Sequence, residues 1–289
     1  MVEELGEEIW PGFSTVPFPV LLVTEEVEFL IDWDGQAPGG FTRLDDSKLG
    51  SVSYRDRVFP PTLSAAFPAF GPPAVVVIGT MEATGRTPGE WALTLLHEHF
   101  HQLQYAGESY YADVEGLDLA GGDQSGMWML EYPFPYADHE IGELFGDLVT
   151  ALKKDLKDNA DAGSSWAALR RLTGALDPAD ARYLSFQLWQ EGVSRFVELA
   201  AAEALAAGFD SGADFVALGD FAGWEPEAAA QRQRVTTGLE DALLAEKGRV
   251  AFYPVGAALA MLLERRDPAW KSRYEAPRFA LDRYGRDVP

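Results

Sequence analysis

Residues Thr87 to Gly107 carry their own start and stop signals, and they constrain the chain more than any other stretch. Thr87-Pro88-Gly89-Glu90 places a hydroxyl at an N-cap, proline at the first helical position and glutamate at the third. Gly107 supplies a C-terminal stop, so a helix is expected from Thr87 to about Ala106. Within it, Leu95-Leu96-His97-Glu98-His99-Phe100-His101-Gln102 holds three of the chain's four histidines. His97 and His101, four positions apart, fall on one helical face a turn apart, where both imidazoles can close on one metal ion. Glu98, about 100° around the helix from His97, can reach the same ion and handle a proton. His99 sits about 200° from His97 and is read as a packing or hydrogen-bonding residue.

Composition narrows what such a site can be. The chain has 289 residues and no cysteine, so disulfides, thiolate metal sites and cysteine nucleophiles are all excluded. Any further ligand must be His, Asp or Glu. The excess of 46 acidic over 23 basic residues, a formal charge of −23, repels nucleic acid and anionic membrane surfaces. No nucleic-acid partner is expected. No apolar run reaches the ~18–20 residues of a membrane span, so no membrane insertion is expected either. The acidic start Met1-Val2-Glu3-Glu4 lacks a basic and apolar leader, which favours the cytoplasm; a chain already relieved of its leader would read the same.

Around the motif helix, the β-type residues of Phe13–Trp33 read as two strands, one at a sheet edge because of Pro17 and Pro19. Gln36–Ser53 reads as turns, with Pro38-Gly39-Gly40 and Asp45-Asp46-Ser47 as loop signals, and Tyr54–Pro73 as irregular chain. Ala74–Ile78 is a wholly apolar buried strand. Tyr105–Pro135, rich in glycine and aromatics, is the least regular part, and its aromatics suit either a cleft wall or lid or a patch packed on the core. Helices are expected at Glu140–Lys157, Ser164–Thr173, Pro178–Ala207, Pro226–Lys247 and Pro254–Arg265, the third opening on Asp177-Pro178-Ala179-Asp180 as an N-cap. The division is a β-rich part with the motif helix at about 87–106 (1–107), an insertion (108–139) and a helical lobe (140–289).

Two histidines alone make a poor catalytic site, which needs a third protein ligand. Asp113, Glu115, Glu131, Asp138, Glu140 and Glu191 are candidates, and Glu191 stands out because apolar residues flank it inside a predicted helix.

His97-Glu98-x-x-His101, then Trp189-x-Glu191-Gly192 and Glu198, resembles the gluzincin metallopeptidases, most closely their aminopeptidase-like branch. The branch reads W-x-x-E-G with a further Glu seven residues on, so this chain has one residue fewer between Trp and Glu. The 89 residues between His101 and Glu191 also exceed the spacer of the best-known members. The resemblance covers roughly residues 74–107 and 180–265. It implies that His97, His101 and Glu191 hold one Zn2+, that Glu98 is the base activating the zinc-bound water, and that Glu198 orients a liganding imidazole.

Ala251-Phe252-Tyr253-Pro254-Val255-Gly256-Ala257 is similar to the family's Y-x-x-G-A segment, which implies an oxyanion-stabilising role for Tyr253. Gly79-Thr80-Met81-Glu82-Ala83 is similar to its G-x-M-E-N strand, with Ala83 in place of asparagine, and Glu82 would anchor a substrate amino group. His139 is either a site residue that steadies the oxyanion or a surface histidine near a helix start. Arg195, one turn beyond Glu191, either pairs with an acidic neighbour or touches substrate.

The fold implied is α+β and zincin-like: a small, mostly antiparallel N-terminal sheet packed on the motif helix, followed by a mainly helical C-terminal lobe. Its strand before the motif helix would offer a free edge to an extended peptide. The activity implied is zinc-dependent hydrolysis of a peptide or protein substrate, endo- or aminopeptidase. A catalytically silent binding protein and a hydrolase of non-peptide amides or esters use the same residues.

Overall fold

The computed structural model describes residues 1–44, 50–123, 126–158, 162–276 and 278–285. The loop reading of Asp45-Asp46-Ser47 lies outside them. The chain forms two compact units, Met1–Gly107 with Ala200–Ala228, and Glu108–Leu199 with Ala229–Pro289. Residues 108–139 therefore belong with the second unit.

The first unit begins with helix α1 (Val2–Ile9) and a six-stranded sheet: β1 (Val20–Val23), β2 (Val27–Ile31), β3 (Thr42–Leu44), β4 (Val52–Asp56), β5 (Ser64–Phe67) and β6 (Val75–Gly79). The order across the sheet is β3-β4-β2-β1-β6-β5. Only β1 and β6 run parallel, with Leu21 beside Val77; the other neighbours are antiparallel, so the sheet is mixed. Alternation sorts the side chains by face. Leu21, Val23, Leu30, Val75 and Val77 meet Trp33, Phe41, Phe59 and Phe67 on one side. Val76, Ile78 and Ala66 meet Trp91 and Leu95 on the other.

After the short helix α2 (Met81–Thr84) comes α3 (Pro88–Ala106), whose capping box is formed in both directions between Thr87 and Glu90. Burial of Trp91 and Leu95 against the sheet explains its position, and three polar ties fix it. The Trp91 indole donates to the Gly79 carbonyl at 2.8 Å. Gln102 Nε2 donates to the carbonyls of Pro19 and Ala74, at the entries to β1 and β6. His99, fully buried, stacks on Phe18 and turns its ring nitrogens to Gln102 Oε1 and the Phe13 carbonyl. Burial pushes its pKa down, with both hydrogen bonds opposing.

The second unit follows with α4 (Tyr110–Glu115), α5 (Trp128–Glu131), α6 (His139–Asp158), α7 (Gly163–Ala175) and α8 (Pro178–Gln187). A π-helical turn, Leu188–Gly192, then leads into α9 (Val193–Ala206). The end of α9, α10 (Gly212–Val216) and the start of α11 (Trp224–Glu240) belong to the first unit; the rest of α11, α12 (Leu244–Lys247) and α13 (Phe252–Arg266) belong to the second. Aromatic residues dominate the core of this unit: Trp189 stacks on Tyr274 at 4.4 Å, and Phe252 meets Phe134, Tyr136, Phe145 and Tyr183. Tyr110 and Trp128 pack against Trp189 and Phe186, so these aromatics of the 108–139 region are core residues.

The structure corrects several expectations. Neither strand of Phe13–Trp33 is an edge, because Pro17 and Pro19 precede β1 and leave its backbone N–H groups intact. β3, β4 and β5 occupy stretches read as turns or irregular chain. Since β5 covers one side of β6 and β1 the other, the strand before the motif helix has no free edge. The G-x-M-E-N-like segment leaves the sheet after Gly79, where Thr80 caps a turn of helix. The expected helix Pro178–Ala207 is interrupted by the π turn, and Pro226–Lys247 splits at Asp241. Asp177 makes no side-chain cap; the nearby Asp180 instead accepts from the Tyr132 hydroxyl at 2.8 Å.

Candidate metal centre

On α3, His97 and His101 are 5% and 4% exposed, and their Nε2 atoms face each other at 3.1 Å. Two nitrogens bound at ~2.0–2.1 Å to one tetrahedral zinc would stand about 3.3–3.4 Å apart, so the pair already has chelating spacing. His101 Nδ1–H donates to Gln104 Oε1 at 2.7 Å. That bond fixes the tautomer with the lone pair on Nε2, the atom turned toward His97.

Glu191 lies in the π turn, a geometry that often marks functional sites because it changes the direction of side chains locally. One ligand atom from each of His97, His101 and Glu191 lies within 4.8 Å of the other two, and together the three could hold a metal ion. The donor set, two imidazole nitrogens and a carboxylate oxygen, suits a borderline-soft divalent cation.

Glu98 is 7% exposed, and among the described residues its carboxylate has no hydrogen-bond or ion-pair partner. Its oxygens are not fully buried, so a water can reach the carboxylate. Tyr253, at the start of α13, accepts a hydrogen bond from Arg249 Nη1 at 2.5 Å, and Arg249 Nη1 stands 3.9 Å from Glu191 Oε1. Burial pushes the Tyr253 pKa up and the negative charge of Glu191 adds to the shift, against the opposing pull of Arg249, so the phenol stays protonated at neutral pH.

The backbones of the π turn and α13 touch at Gly192 and Gly256: a Cβ on Gly192 would lie 2.4 Å from the Gly256 Cα. Glu191 precedes one glycine and Tyr253 lies one turn before the other. The contact thus fixes the spacing between carboxylate and phenol.

The remaining expected site residues fall outside the group of His97, His101 and Glu191. Glu198, buried, pairs with Arg195 at 2.6 Å and Arg234 at 3.7 Å. Glu82 is exposed on α2, and His139 is exposed at the start of α6, 3.6 Å from Glu143. Sequence reasoning missed Gln104 and Arg249. The signal available for Gln104 was its i+3 spacing from His101, and for Arg249 its i−4 spacing from Tyr253.

Gln104→Leu is expected to weaken metal affinity by about 10–100-fold, because His101 loses the acceptor that orients its ring. Competition with a chromophoric chelator measures it, and an unchanged affinity would remove Gln104 from the site. Family models, curated proteins and solved structures were all compared with this chain, and none matches it. Among the described residues, no helix is long and apolar enough to cross a membrane.

Proposed function

We propose that the protein is a zinc-dependent hydrolase of gluzincin type that cleaves peptide bonds. The observation that carries the reading is the grouping of His97, His101 and Glu191, with the largely buried Glu98 next to His97 on the same helix. When bound, zinc supplies Lewis acidity that polarises a carbonyl and makes water a nucleophile near neutral pH. Glu98 takes the proton from the attacking water and hands it to the leaving amine. Tyr253, kept protonated by its burial and by Glu191, donates a hydrogen bond to the developing oxyanion. Arg249 sets the direction of the Tyr253 hydroxyl while facing Glu191 with positive charge. A purely structural metal site has no use for Glu98, which favours turnover over silent binding.

The test is a digest of a mixed peptide library by zinc-loaded and by chelated protein, read by mass spectrometry. Cleavage in the loaded sample alone is expected, and chelator-insensitive cleavage or none at all would sink the reading. Glu191→Ala is expected to leave less than about a tenth of the zinc after dialysis, since two imidazoles make an incomplete site. Full metal content in that variant would exclude Glu191 as a ligand.

A further inference from the structure

The second unit has an open cavity of about 440 Å³ lined in part by Tyr253, a size suited to a small ligand or one or two residues of a peptide. Its lining runs against the composition of the chain. Three of its eleven lining positions are Arg195, Arg234 and Lys247, whereas the whole chain has 23 basic residues in 289. The acidic residue in the lining is Asp241; most of the rest is Val, Ala, Pro and Gly.

Glu198, 3% exposed, explains how the arginines are held. Its carboxylate takes Nη1 of Arg195 at 2.6 Å and stands 3.7 Å from Nη1 of Arg234. A guanidinium carries five N–H donors in a rigid fork, so a tie through one terminal nitrogen orients the plane. Arg195 also lies 5.9 Å from the centre of the Tyr253 ring, against the same cavity wall. Along the lining itself, three cations stand against one carboxylate, Asp241, in a chain whose overall charge is −23. Apolar walls accept methylene groups, and the oriented cations accept a carboxylate.

We infer that this cavity is the substrate's carboxylate-recognition site, with Arg195, Arg234 and Lys247 holding either an acidic side chain or the C-terminal carboxylate of the peptide. The inference rests on the hydrolase reading and names its substrate class: peptides with a carboxylate close to the scissile bond. A chain this acidic repels anionic peptides at long range, so selection must come from contacts at short range.

Calorimetric titration of zinc-loaded Glu98→Gln protein tests it with three probes: an acetylated trialanine amide, the same peptide with one alanine changed to glutamate, and acetylated trialanine with a free C-terminus. One carboxylate probe is expected to bind at least ~10-fold more tightly than the neutral amide at low salt. Preference for the glutamate probe assigns a side-chain site, and preference for the free acid assigns a C-terminal site. The preference is expected to fall to about threefold or less in an Arg234→Gln, Lys247→Gln double variant, with the affinity of the neutral amide unchanged. Both substitutions fall on exposed side chains, and a thermal melt monitors folding. Equal binding of all three probes, binding of none, or a preference intact in the double variant would overturn the inference. Carboxylate-selective binding by a wild-type protein that cleaves nothing would sink the hydrolase reading alone. Chelator-sensitive cleavage without carboxylate selectivity would sink the cavity assignment alone.

Discussion

Replacing Glu98 with glutamine is expected to cut peptide turnover by about three orders of magnitude and to leave zinc content unchanged. Glutamine keeps the size and shape of the side chain, so the helix and the two imidazoles beside it have no reason to move. What is lost is one capacity, the acceptance and return of a proton. Glu98 is 7% exposed and has no hydrogen-bond or ion-pair partner among the described residues, so no structural bond breaks on substitution. It also lies outside the His97, His101 and Glu191 group, so the ligand set is retained. The measurement is kcat on a peptide found in the library digest, paired with metal analysis of the same sample. Turnover within tenfold of wild type would remove Glu98 as the base, and loss of zinc would show that it acts as a ligand. Glu191→Ala should give the opposite signature, with metal lost first and activity as a consequence.

The sequence signals that proved legible were local ones. The start of α3 could be read from Thr87 through Glu90 because a capping box is closed by residues three apart, and the histidine pair because i,i+4 spacing needs only the helix itself. Glu191 could be singled out by its apolar neighbours. β5, by contrast, reads Ser-Ala-Ala-Phe, with no β-branched residue to announce it, and forms as the antiparallel partner of β6. Its presence closes the edge that a strand-by-strand reading leaves open. The π turn was equally hidden, because the seat of Gly192 against Gly256 is a tertiary contact between residues 64 positions apart. Gln104 and Arg249 look like ordinary polar positions on helices until the directions of the His101 ring and the Tyr253 hydroxyl are known.

That glycine contact supports the largest expected effect on stability. Alanine at Gly192 or Gly256 is expected to destabilise the protein by about 3 kcal/mol or more, at the upper end of what overpacking costs. A Cβ on Gly256 would lie 2.6 Å from the Gly192 Cα and 2.7 Å from the Leu188 carbonyl oxygen, and one on Gly192 would lie 2.4 Å from the Gly256 Cα. These are backbone atoms, so no rotamer change relieves the clash and the two segments must separate. Helix propensity pulls the other way, since alanine is favoured over glycine in a helix by about 1 kcal/mol, too little to offset the clash. Gly146 is the control: it lies in α6, and a Cβ added there would meet nothing within 4 Å, so only propensity acts and alanine is expected to stabilise by about 0.5–1 kcal/mol. The same chemical change is thus expected to have opposite signs at two helical glycines, measured as urea midpoints at constant m-value. Gly192→Ala should also weaken zinc retention, because separating the segments displaces Glu191, the neighbouring residue. Equal midpoints for the Gly192 and Gly146 variants would show that the segments are not in contact, and Glu191 and Tyr253 would lose the feature that fixes their spacing.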